Sequence, residues 1–214
     1  MSAAEQLAKQ EKPAHQRPEL PDFWDKRFSE GVTPWEAHCV PQALREFAAA
    51  HVQQATARRV LVPGCGSALE AAWLDRAGWE VTALDFSAAA VERARQTLGE
   101  AFGGRLLCAD FFDFVPAAPF SLIVERAFLC ALPRKLRAGY ARRMAELLAP
   151  GCLLAGVFFV AEQLKGPPFG ISQEELDALL GDAFTLRDDR PVHDSPPVFA
   201  GRERFQVWEK KGTR

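Results

Sequence analysis

The chain has 214 residues, 48% of them hydrophobic, enough apolar material for one large core and one domain. Its 26 Lys and Arg against 28 Asp and Glu give a formal net charge of −2, and the basic residues are scattered, which argues against a nucleic-acid partner. The five cysteines (Cys39, Cys65, Cys108, Cys130, Cys152) form no CxxC pair and the four histidines show no HxxxH or H-x-E spacing, so no metal site is expected.

Residues 1–20 are polar and read as a mobile or weakly helical arm without the apolar core of a signal peptide. No apolar run approaches the ~20 residues that span a bilayer. A cytoplasmic protein with reduced thiols is expected, a monomer or weak homodimer acting on a small molecule, with neither nucleic acid nor membrane as partner.

Pro21 opens a short helix that Gly31 ends, and an amphipathic helix runs from Val40 to about Gln54. The chain then alternates. Strands are expected at 58–63, 79–84, 104–109 and 120–125, and helices at about 67–77 and 87–98. A longer helix follows Pro133 to about 148, and Cys152 to Val160 is a continuous apolar run. Apolar strands separated by helices mean a parallel sheet buried on both faces. Ser172 caps a helix to about Leu180. Strands at 184–187 and 203–209 follow with no helix between them, so they pair antiparallel. The expectation is an α/β Rossmann-like fold. Its seven-stranded, mostly parallel sheet has an antiparallel last strand and helices on both faces. Residues 21–211 form one domain, a lid and helical cap at 21–55 and a core at 58–211.

The first strand ends in Val62-Pro63-Gly64-Cys65-Gly66-Ser67-Ala68, a turn that lets a ligand approach the backbone. A dinucleotide loop needs G-x-G-x-x-G, but Leu69 stands where the third glycine belongs, and no Lys or Arg lies between Val60 and Leu74 to meet a phosphate. The shorter pattern Gly64-x-Gly66-x-Ala68 suits a nucleoside ligand such as S-adenosylmethionine. Asp85, followed by Phe86, ends the second strand, where a carboxylate takes ribose hydroxyls. Asp110 ends the third, where it can accept from an adenine amino group with Phe111 against the ring. The bland alternative is that Asp110 or Asp113 caps the next turn. Before the fold begins, Trp24 and Phe28 share one helix face and Trp35 follows. They are either a core staple or an aromatic lid over a sulfonium.

Together the segment Phe23–Trp35, the loop Val62-Pro63-Gly64-Cys65-Gly66 and Gly166-Pro167-Pro168-Phe169 resemble the thiopurine S-methyltransferase superfamily, closest to its halide/thiol methyltransferase branch, over about residues 22–209. The resemblance implies a lid of Trp24, Phe28 and Trp35 on the cofactor, and a loop of Gly64, Cys65 and Gly66 with the ribose acid Asp85 beside Phe86. It also implies an adenine pair, Asp110 and Phe111. Arg126 falls where the branch often has an aromatic residue; it answers the methionyl carboxylate or a substrate, or pairs with Glu125. Phe199 falls where the branch often has a basic residue, which favours an apolar thiol over a small inorganic anion. Phe128, Phe159, Phe169 and Phe199 are the substrate-pocket candidates, with Arg126 or Lys165 as charge partners. Transfer from a sulfonium is an in-line displacement achieved mainly by positioning, so no catalytic residue is assigned. The function implied is S-adenosylmethionine-dependent methyl transfer to a small soft nucleophile, a thiol or sulfide. The alternatives are a thiopurine, halide or chalcogen-oxyanion acceptor, an NAD-dependent oxidoreductase, or a non-catalytic cofactor-binding protein.

Overall fold

The computed structural model describes residues 12–36, 39–53, 55 and 57–212; residues 1–11 of the N-terminal arm and Gln54 lie outside these. A 3-10 turn at Ala14–Gln16 precedes helix α1 (Pro21–Glu30), which has Pro in its first turn and ends at Gly31 in the left-handed region, φ 68°. Helix α2 (Gln42–Val52) leads to β1 (Arg59–Pro63), α3 (Leu69–Arg76), β2 (Glu80–Asp85), α4 (Ala88–Leu98), β3 (Arg105–Cys108) and β4 (Phe120–Arg126). Helix α5 (Arg137–Leu147), β5 (Leu148–Phe159), α6 (Gln173–Leu180), β6 (Phe184–Pro191) and β7 (Glu203–Lys210) complete the domain.

The seven strands form one sheet in the order β3-β2-β1-β4-β5-β7-β6. Pairings from β3 through β5 are parallel, and β7 is antiparallel to both β5 and β6. The alternation of strand side chains divides the core into two layers. Val60, Val62, Leu122 and Val124 pack with Leu44 and Ala48 of α2 and Leu74 of α3. Leu61, Ile123, Leu154 and Phe158 pack on the other face with Tyr140 and Met144 of α5 and Leu176 of α6. Burial on both faces explains why the strands read as unbroken apolar runs. Strand β6 extends to Pro191, beyond the expected Arg187, because a bulge between Leu186 and Asp188 restores its pairing with β7.

The topology brings the loops after β1, β2, β3 and β4 to one edge, at the carboxyl ends of the strands, where open α/β sheets bind ligands. Because β7 runs antiparallel to β5, its first residue, Glu203, comes to the same edge opposite Phe159. The N-terminal segment closes over that edge. Residues 12–20 pack here: Glu19 accepts from Lys135 Nζ at 2.7 Å, and Trp24 Nε1 donates to the Pro18 carbonyl at 2.8 Å.

Candidate functional site

Gly64 and Gly66 both have positive φ, 57° and 52°, so the turn after β1 curls sharply before α3 starts. A Cβ at Gly64 would run into the Phe128 ring, and one at Gly66 would lie 3.4 Å from Phe28. The loop is pinned to β2: Cys65 N–H donates to the Leu84 carbonyl at 3.0 Å, and Gly66 N–H donates to Asp85 Oδ2 at 3.0 Å. Ser87 N–H donates to Asp85 Oδ1 at 2.9 Å. Asp85 is buried, and desolvation pushes its carboxyl up to about 6 although these amides pull it down.

Above this loop lies a cavity of about 520 Å³. Trp24, Phe28 and Trp35 close one side, and Trp35 meets Trp24 and Phe28 edge-to-face with ring centroids 5.4 and 5.9 Å apart. Gly64, Cys65, Gly66, Asp85, Phe86, Asp110, Phe111 and Arg126 all line it. Asp110 is exposed and accepts from Phe112 N–H at 2.8 Å through Oδ1, so it caps its own turn while one oxygen stays available.

The substrate-pocket candidates divide. Phe128 and Phe199 line the cavity, but Phe159 and Phe169 do not. Phe159 is buried behind Phe199, with centroids 5.4 Å apart, because it ends β5 facing the chain before β7. The Phe169 amide donates to the Cys130 carbonyl at 2.6 Å, and the residue faces a shallow surface depression beside Lys135; Pro167 and Pro168 reach the cavity in its place. Lys165 is exposed and outside the cavity.

Arg126 does not pair with Glu125. Its Nη1 donates to Glu203 and its Nε faces Glu70 Oε1 at 3.8 Å. The Glu125 carboxylate instead accepts from Phe128 N–H at 2.8 Å and Leu129 N–H at 3.1 Å, fixing the turn that places Phe128. Burial pushes Glu125 up to about 7. Sequence reasoning also missed Asp25 of α1. Its Oδ1 accepts from Ser87 Oγ at 2.6 Å and from Ala89 N–H at 3.0 Å, so the lid helix is tied to the start of α4, next to Asp85.

The only cations lining the cavity among the described residues are Arg27 and Arg126. Arg27 is turned onto the Phe23 ring and carbonyl, and Arg126 is held by carboxylates. A pyrophosphate would find only the one unpartnered Nη2 of Arg126, between two carboxylates, whereas the glycine turn, the acid after β2 and the aromatic wall fit a nucleoside with an apolar cationic end. Among the described residues no group of three His, Cys, Asp or Glu is placed to hold a metal ion, and no helix is long and apolar enough to cross a membrane.

This fold and site define a Rossmann-like methyltransferase. Over the whole domain the structure is similar to Burkholderia thailandensis 1,6-didemethyltoxoflavin-N1-methyltransferase, solved with its substrate and S-adenosylhomocysteine. The TM-score is 0.69 at 18% identity, covering 94% of this chain and 92% of that one. Residues 20–211 match the family model described as thiopurine S-methyltransferase. The chain is 34% identical to probable thiol methyltransferase 2 of Arabidopsis thaliana, covering 89% of this chain and 85% of that one. It is 32% identical to thiopurine S-methyltransferase of Pseudomonas fluorescens, covering 78% and 84%. The chain belongs to the thiopurine S-methyltransferase family, and it is a methyltransferase whose methyl donor is S-adenosylmethionine.

Proposed function

We propose that the chain methylates a neutral, apolar thiol, acting in the cytoplasm as a monomer or weak homodimer. The observation that carries this reading is the neutralised guanidinium. Arg126 lines the cavity paired with Glu70 and Glu203, and with the acceptor placed beside it a small inorganic anion would meet two carboxylates for one guanidinium. The remaining wall is aromatic, with Phe128 and Phe199 in it. A soft neutral acceptor loses little by leaving water for such a wall.

S-adenosylmethionine, when bound, supplies a methyl group already activated on a sulfonium. In this reading Asp85 takes the ribose hydroxyls, and Asp110 with Phe111 takes the adenine. The glycine turn leaves room for the methionyl end. Trp24, Phe28 and Trp35 exclude water and face the sulfonium, each aromatic contact contributing roughly 0.5–2 kcal/mol. Phe128 and Phe199 orient the acceptor. Positioning and water exclusion are the protein's main contributions to an in-line displacement.

The experiment is titration calorimetry with S-adenosylhomocysteine and NAD, followed by methyl-transfer assays with hydrosulfide, thiophenol, benzyl mercaptan and iodide. The reading expects micromolar S-adenosylhomocysteine binding, silence from NAD, and thioether products. Methyl iodide as the chief product, with no thioether, would overturn the thiol reading.

A further inference from the structure

A neutral thiol carries a proton that must go somewhere. Most carboxylates lining the cavity are already engaged: Asp85 by two amides, Asp110 by Phe112 N–H, and Glu19 by Lys135. Glu70 and Glu36 remain. Glu70 lies in the first turn of α3, directly after the glycine loop, and is 8% exposed.

Glu70 and Glu203, both buried, flank Arg126 of β4. Glu203 of β7 holds Arg126 Nη1, Glu70 faces its Nε, and the charge of Glu36 in the lid segment also bears on Glu70. Arg93 faces Glu36 Oε2 at 3.4 Å. Two observations point to a ligand here. Arg126, whose side chain is 8% exposed, has its Nη2 buried with no hydrogen-bond partner, and Glu203 Oε2 and Glu36 Oε1 are buried without partners as well. The group also has more carboxylates than guanidinium to balance them, so an added proton relieves it. Burial and the neighbouring carboxylates raise Glu70 above the usual carboxylate range, against the pull of Arg126. That shift makes it a better proton acceptor at neutral pH.

We propose that Glu70 is the catalytic base that takes the thiol proton, with Arg126 and Glu203 as its positioning residues. The assignment rests on the thiol reading above. In this step the S–H bond breaks, its electron pair stays on sulfur as a thiolate, and the proton joins a Glu70 carboxylate oxygen. Nothing is oxidised or reduced. The unpartnered Nη2 of Arg126 supplies a donor where the negative charge develops. The proton passes to water after product leaves.

The test uses the full chain with S-adenosylhomocysteine bound and benzyl mercaptan, an alkyl thiol protonated at neutral pH, as probe. In wild type, an infrared band of a protonated carboxyl grows as benzyl mercaptan binds, and Glu70→Gln lacks it. With benzyl mercaptan the wild-type rate falls on the acid side as Glu70 is protonated, and Glu70→Gln lacks that limb. Turnover splits in the same way: Glu70→Gln loses at least tenfold more rate with benzyl mercaptan than with thiocyanate, which has no proton to give up. A merely structural role would lower both equally. If Glu70→Gln does not fold, the wild-type infrared experiment decides, and absence of the band overturns the assignment. The same acid limb in the two proteins, or a band lost in Glu36→Gln but kept in Glu70→Gln, also overturns it. Thiol turnover without the band overturns this assignment alone, whereas turnover of thiocyanate with no thiol overturns the thiol reading with it.

Discussion

Lowering the pH from 7 to 5 should weaken S-adenosylhomocysteine binding by about tenfold, and Asp85 should be the cause. Burial pushes its carboxyl up to about 6 in the ligand-free protein. About nine-tenths is then ionised at pH 7 and about one-tenth at pH 5. Ribose hydroxyls donate hydrogen bonds, so affinity follows the ionised fraction. The stability sign is opposite. The folded carboxyl titrates about two units above the unfolded one, so Asp85's contribution is fully present below the unfolded value of 3.8 and is lost as pH rises through 6. That loss is worth about 3 kcal/mol. Asp85→Asn removes this cost but accepts from only one of the two amides that Asp85 serves, which costs about 1–3 kcal/mol at every pH. The variant should therefore gain melting temperature relative to wild type between pH 4 and 7, and its weakened ligand affinity should no longer follow a transition near 6. Calorimetry at four pH values, with thermal melts in the same buffers, measures both. A wild-type Kd that is flat from pH 5 to 7.5 would refute the reasoning. So would a pH dependence kept in Asp85→Asn, which would assign it to Glu70 or Glu125.

Asp25→Ala removes the acceptor for Ser87 Oγ and Ala89 N–H, and should cost about 0.5–2 kcal/mol, a fall of roughly 1–8 °C in Tm, while loosening ligand through the freed lid helix. An unchanged melt would contradict the tie. Trp24→Ala removes the edge-to-face contact with Trp35 and the bond to Pro18; S-adenosylhomocysteine should bind roughly 2–30-fold more weakly, and full affinity would sink the lid. Gly64→Ala should destabilise by about 2–4 kcal/mol, part from positive φ and part from the Phe128 ring. Phe128→Ala in that background should recover only the ring's share, which a double-mutant cycle separates.

The strands and their order of use were legible because a parallel sheet buried on both faces demands continuous apolar runs, as at Val60–Val62 and Leu122–Val124. The glycine turn and the acid after β2 were legible because both sit within one strand–loop–helix unit. The group around Arg126 was not. Glu125 and Arg126 are neighbours in sequence, yet successive residues of a strand point to opposite faces, which separates them and leaves Arg126 to Glu70 and Glu203. Those partners lie on two other elements, and only the reversed direction of β7 brings Glu203 to the same edge. The acceptor role of Asp25 depends on α1 packing against α4, more than sixty residues away in sequence. Phe159 and Phe169 were pocket candidates, but a neighbouring ring and a backbone bond turn them from the cavity.

The central claim is that this site methylates a neutral thiol in preference to a small anion. Its most direct test is a competition in one reaction, with benzyl mercaptan and thiocyanate at equal concentration and labelled S-adenosylmethionine, the products separated and counted. The account predicts methyl label in the benzyl thioether by at least tenfold over methyl thiocyanate. Label chiefly in methyl thiocyanate would contradict it, and would mean that Arg126 is open to anions despite its two carboxylates.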